Sequence, residues 1–179
     1  MERNSWNQAG ELQTNDYPMK NKLIYFVKIL LLAIIYFGAA KLGLSLAFLQ
    51  AQVSPIWPPT GIALAVMLVF GYKMWPGIFI GALLTNIATA ETLPVALTIS
   101  LGNTLEVLVG AYLLQRFVSF QNSMDRLRDV LGLLLFGCTV SPAISATIGV
   151  STLGISGLMP WSEYIPVWLT WRRLGMLWV

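Results

Sequence analysis

The residues of this chain best placed to do chemistry are polar groups set inside apolar runs. Glu106 lies near the middle of a long apolar stretch, and Gly102, Asn103 and Gly110 share its helical face. A carboxylate at bilayer depth costs about 2.5 kcal/mol or more on insertion scales, so it must face a bundle interior or water. Lys41 is the basic residue within reach of that depth, and a Lys41–Glu106 ion pair would satisfy both groups. Glu106 could instead stay protonated and hydrogen-bond Asn103 or Asn86. Structural glue and a ligand or proton site both remain open for these residues.

The segment from Val53 to Asn86 holds the other candidates. Trp57, Pro58 and Pro59 stand at the mouth of one short apolar helix, and Trp75–Pro76 opens the next. Proline suits the first turn of a helix, where its missing N–H would have no partner anyway. Tryptophan favours the boundary between membrane and water. The segment reads as a re-entering helical pair with both starts fixed. The free N–H groups behind Trp57, Pro58 and Pro59 suit an anionic or polar ligand group; setting helix geometry alone is the other use. Trp57, Pro58, Pro59, Asn86, Asn103 and Glu106 are therefore the candidate ligand-binding residues.

Several chemistries are excluded. The chain has no histidine, so no Ser-His or Cys-His nucleophile pair, histidine zinc site or phospho-accepting histidine exists. Cys138 is the only cysteine; it sits in an apolar run and reads as a packing residue. There is no glycine-rich phosphate loop. No catalytic set, metal or cofactor is expected, and the scattered basic residues argue against nucleic acid as a partner.

The elements that position these residues are membrane spans. Hydrophobic residues make up 56% of the chain and charged residues 11%, against about 25% charged in a soluble domain. Mean hydropathy is +0.70. A polar cytoplasmic tail, residues 1–22, precedes a membrane domain over residues 23–179. The apolar runs predict spans near Leu23–Leu49, Pro58–Phe70, Pro76–Ala90, Leu93–Leu114 and Val130–Val150, with a sixth starting near Tyr164. The expected fold is an all-α integral membrane protein: five complete transmembrane helices and an incomplete sixth. Gly137, Ser141, Ser145 and Gly149 form a small-residue stripe in span five, and Gly77 and Gly81 a pair in span three; such stripes let helices approach closely. Pro142 is expected to kink span five.

Several ordered blocks in one register carry a family resemblance: WPPTGIALA (Trp57–Ala65), GYKMWPGIFIGA (Gly71–Ala82), LGNTLEVLVGAYLLQR (Leu101–Arg116) and SPAISATIGVSTLGISGLMPW (Ser141–Trp161). Over residues 23–171 the chain resembles the first type of membrane-associated sensor domain, the MASE family. The resemblance implies a multi-pass bacterial input module, joined in relatives to histidine kinase or cyclic-di-GMP-handling domains. After Trp171 the pattern departs: Arg172, Arg173, Leu174, Gly175 and Met176 stand where the family continues through a Gly-Asp-Ala segment. A truncated or frameshifted copy is the expectation there.

A sensory input domain of signal transduction, without a catalytic output domain of its own and not itself an enzyme, is thus the expected function. A small solute-binding or transport component and a non-functional remnant are the alternatives. The lipid bilayer is the expected surrounding, with a small molecule as the candidate ligand.

Orientation follows from the basic residues. Lys20, Lys22, Lys28, Lys73, Arg116, Arg126 and Arg128 fall at alternate span ends, whereas the intervening loops carry none. The positive-inside rule then places the N-terminus in the cytoplasm of a cell whose inner membrane holds the chain. A reporter fused after Lys73 or within residues 121–128 should read as cytoplasmic, and one near Gln52 or Gly157 as external. The inverse pattern at Lys73 and Gln52 would overturn the orientation.

Overall fold

The computed structural model describes residues 16–45, 57–89 and 92–175. The tail through residue 15, the Gln50–Ile56 connection, Glu91 and residues 176–179 lie outside the described residues. Every regular element among the described residues is helical. In chain order these are α1 (Asp16–Leu44), α2 (Pro58–Phe70), α3 (Trp75–Ile87), α4 (Leu93–Leu113), α5 (Leu127–Gly132), α6 (Ser141–Ile155) and α7 (Tyr164–Gly175).

Proline and glycine set the helix boundaries. Pro58, Pro76 and Pro94 each sit in the first turn of their helix, and Thr92 enters α4 in extended conformation. Gly71 ends α2 at φ 84°, a backbone state that favours glycine, and its N–H bonds the Met67 carbonyl. One tight turn, Tyr72–Met74, then leads directly into α3. The helical pair expected from the two Trp-Pro starts is present, with the starts where the prolines put them. α1 begins at Asp16, earlier than the apolar run at Leu23, because methionine and lysine extend a helix readily and Pro18 falls in its first turn.

Among the described residues, three helical stretches are long and apolar enough to cross a bilayer: Asn21–Leu44, Leu93–Val118 and Leu127–Ile155. α2 and α3 have 13 residues each, about 20 Å of helix against a hydrocarbon core of about 30 Å. The helix continuing from α5 widens to i→i+5 winding over Leu133–Val140 before α6 begins. Pro142, expected to kink this span, sits in the first turn of α6 directly after the widened stretch, so its missing N–H falls where the backbone register already changes.

The bundle is held by two close pairings, α1 with α3 and α4 with α6, joined by α3 against α4. A Cβ on Gly77 would lie 2.8 Å from the Ile29 carbonyl oxygen, and one on Gly81 2.8 Å from the Tyr36 Cβ. The Gly77/Gly81 pair is thus where α3 lies on α1. Gly110 of α4 abuts Ser141 of α6, and Gly102 abuts Ile148. α7 also packs on α6: Tyr164 shares a hydrogen bond with Ser151 at 3.1 Å, Trp168 Nε1 donates to Thr147 Oγ1 at 3.1 Å, and the Trp171 ring covers Gly149.

Basic residues gather at one end. The Tyr25 hydroxyl donates to the Lys73 carbonyl at 2.9 Å, Lys28 lies 4.9 Å from the Phe70 ring centre, and Tyr72 donates to Gln115 at 2.9 Å. Near the same end, Arg126 grips the buried Asp129 carboxylate through two nitrogens at 2.6 and 2.7 Å and donates to the Ser119 carbonyl at 2.8 Å.

Gly81→Leu should lower stability by about 2 kcal/mol through overpacking against α1, measured by unfolding in mixed detergent. Gly38→Leu, at a position with nothing within 4 Å, should be close to silent. Equal stability of the two variants would contradict the α1–α3 approach.

Candidate functional site

The polar residues of four helices meet in the middle of this bundle. Glu106 on α4 is 3% exposed. Its carboxyl lies within hydrogen-bonding reach of Thr60 from the first turn of α2 and Ser145 from α6. Tyr36 on α1 is 1% exposed, and its charge environment includes Glu106. The Tyr36 hydroxyl lies within hydrogen-bonding reach of the side chains of Trp57 and Asn103. Ser141, a turn before Ser145, donates its hydroxyl to the Glu106 carbonyl oxygen. Glu106 is therefore tied to α6 through both side chain and backbone.

Local sequence explains each placement. Residues 103, 106 and 110 recur at helical spacing, so Asn103, Glu106 and Gly110 share the buried face of α4. Gly110 and Gly102 bring α6 close enough for two short serine side chains to reach that face. The prolines start α2 at Pro58, which puts Thr60 in its first turn. That turn meets Tyr36 and Glu106, both well inside their own helices. α2 accordingly begins within the bundle and runs toward the basic end, where Phe70 meets Lys28.

The sequence candidates divide into groups. Trp57, Asn103 and Glu106 come together with Thr60, Tyr36 and Ser145. Trp57, expected at the boundary with water, stands over Tyr36, roughly two turns before the end of α1. Pro58 and Pro59 lie in the same first turn and hold the helix start; Pro59 is fully buried. Asn86 is buried elsewhere: its amide donates to the Ala82 carbonyl at 2.9 Å and to Ser100 Oγ at 3.1 Å, linking α3 to α4.

The expected Lys41–Glu106 ion pair is corrected by the geometry. Lys41 is exposed; its Nζ donates to the Ala88 carbonyl at 3.3 Å and lies 5.7 Å from the Phe37 ring centre. It thus sits on the outside of α1, near the end of α3. Lys41 and Glu106 form no ion pair among the described residues. Helical phase accounts for this: the buried face of α1 carries Ile29, Leu32, Ala33, Tyr36 and Ala40, and position 41 lies off that stripe.

Tyr36 and Thr60 were not singled out in the sequence. Thr60 follows W-P-P directly, and Tyr36 is a polar tip inside an apolar run, a type that finds a hydrogen-bond partner when buried. Both signals exist, but one tyrosine or threonine in a membrane helix is too common to weigh alone.

In a double-mutant cycle, Lys41→Met and Glu106→Gln should add within about 0.5 kcal/mol, as separated sites do. A larger coupling in membrane stability would restore the ion pair.

Known proteins place this bundle in a class. A model of the MASE1 family matches residues 28–174. Probable diguanylate cyclase DgcE of Escherichia coli (strain K12) is 28% identical over 163 residues, which cover 89% of this chain and 14% of that relative. The chain thus spans a small part of the relative's length. No solved structure matches it. The family match covers most of the chain, including both Trp-Pro helix starts and the Glu106 helix, and the chain belongs to the MASE1 family of membrane-associated sensor domains.

Proposed function

We propose that this chain is the sensory input module of a bacterial membrane receptor acting in cyclic-di-GMP signalling, and that the cluster around Glu106 is where its stimulus acts. The observation carrying this reading is the convergence of α1, α2, α4 and α6 on one buried carboxyl. A carboxyl at that depth is costly unless it has a use, and any change in it bears on four helices at once. Of the two output classes expected, histidine kinase and cyclic-di-GMP modules, the name of the diguanylate cyclase relative supports the second.

The membrane arrangement follows from helix length and charge. α1, α4 and the α5–α6 rod have the length to cross. The short α2 and α3 complete five passes, with α2 entering only as far as the Glu106 level, and α7 begins a sixth. With the basic end cytoplasmic, the N-terminus lies in the cytoplasm of an inner-membrane protein. α7 then runs from the outer side back toward the cytoplasm, where an output domain would stand. Its tryptophans rest on α6, the helix that Ser141 and Ser145 tie to Glu106. A route from cluster to output therefore passes through α6.

The test is a chimera of residues 1–175 with a diguanylate cyclase catalytic domain, with cellular cyclic-di-GMP as readout. Trp57→Phe removes the indole N–H over Tyr36 at little change in volume, and one such hydrogen bond is worth about 1 kcal/mol. Cyclic-di-GMP output should change about fivefold at equal membrane abundance. Unchanged output, or saturable solute flux in liposomes, would count against the input-module reading.

A further inference from the structure

The nature of the partners around Glu106 carries a more specific conclusion, which rests on the reading of this cluster as the stimulus site. A buried carboxylate with a lysine or arginine partner is held in its charged form. Among the described residues Glu106 has no such partner. The side chains within hydrogen-bonding reach of it are Thr60 and Ser145; Tyr36 lies close enough for charge interaction, and its own hydroxyl reaches Asn103 and Trp57.

A hydroxyl rotates and can either donate or accept. Thr60 can donate to an ionised Glu106; Ser145, whose hydroxyl also lies 3.3 Å from the Pro142 carbonyl, can turn its proton to either, and one of the two hydroxyls can accept from a protonated carboxyl. The positive end of the α2 dipole, at Thr60, favours the charged form. The apolar side chains of the bundle favour the neutral form. The surroundings therefore accommodate two states of the carboxyl.

The cluster is also packed shut. Tyr36, Thr60, Asn103, Glu106 and Ser145 are each 4% exposed or less. The smallest cation meets that restriction best. We propose that Glu106 is a proton-binding site, and that the proton is the stimulus the bundle reads. The proton passes from water to a Glu106 carboxylate oxygen; an O–H bond forms there, the donating hydronium becomes water, and no electrons are exchanged. Gain of the proton removes one full charge from the junction of four helices. The hydroxyl that accepts the new O–H, Thr60 or Ser145, must then reorient, and Ser145 links the site to α6.

Other titratable groups on the elements packed around α4 stand apart from the cluster: Tyr25 and Lys28 of α1 meet Lys73 and Phe70 at the basic end. Tyr36 belongs to the cluster itself. Lys41 of α1 is engaged at Ala88, and Cys138 is the titratable residue of the widened stretch before α6. α2, α3 and α6 carry no acidic or basic side chain.

The experiment is infrared difference spectroscopy of the full chain in phospholipid vesicles, taken from about pH 5 to about pH 8, the range around and above an ordinary carboxyl. A protonated-carboxyl band should vanish as pH rises and be missing throughout in Glu106→Gln. Ser145→Ala keeps the carboxyl but removes one partner, and should move the midpoint by about one pH unit. Should Glu106→Gln fail to fold, the Ser145→Ala shift decides alone. A band that does not change with pH, or a spectrum identical in parent and Glu106→Gln, or an unmoved midpoint in Ser145→Ala, would overturn the proposal. The spectrum is read on the chain without an output domain. A titrating Glu106 in a chimera whose cyclic-di-GMP output ignores pH, yet still changes with Trp57→Phe, would overturn the proton as stimulus while leaving the input-module reading standing.

Discussion

Burying a carboxyl group without a counter-charge makes demands on every helix around it. Each helix must supply a polar group that fits the site, and each must come close enough for a short side chain to reach. The Glu106 site meets both demands with the smallest available parts. Thr60 and Ser145 reach the carboxyl, Ser141 binds its backbone carbonyl, and Gly110 lets α6 approach. Lipid tails are as apolar as leucine, so helices in a bilayer gain little by hiding apolar faces from one another. Close contact and internal hydrogen bonds therefore decide the packing, and here both concentrate along α4 and α6.

The same economy explains α2. A helix start leaves N–H groups without partners, which is tolerable inside a bundle only where polar atoms wait for them. Two prolines remove two of those donors at the start of α2, and the first turn lies beside Tyr36 and Glu106. A short helix starting inside a bundle is thus matched to a polar cluster at the same level. Tyr164, Trp168 and Trp171 pack against Ser151, Thr147 and Gly149, so the helix that reaches the cluster through Ser145 also carries α7.

Much of this was legible in the chain, for identifiable reasons. Proline restricts its own φ and lacks an N–H, so Pro58 and Pro76 mark helix starts whatever surrounds them. Glu106 stands out because a carboxylate in an apolar run is expensive, and the glycines and serines of spans three and five announce close approach. The widened winding at Leu133–Val140 left no such mark, and neither did the start of α1 at Asp16. Adjacency was the main thing hidden. Charge alone matched Glu106 with Lys41, but the phase of α1 turns Tyr36 inward and leaves Lys41 outside. Asn86 looked equally able to reach Glu106, yet it bonds Ser100. One helix's register settles which side chain points where, and a single sequence shows the face without showing the neighbour.

The meeting of α2 and α6 at Glu106 is tested most directly by cysteine cross-linking. In a Cys138→Ser background, the pair Thr60→Cys and Ser145→Cys should be joined rapidly within one chain by a short bifunctional thiol reagent in native membranes. The pair Thr60→Cys and Thr98→Cys, the latter on an exposed position of α4, should not. Failure of the first pair to join in a folded protein, or equal joining of both, would contradict the central convergence.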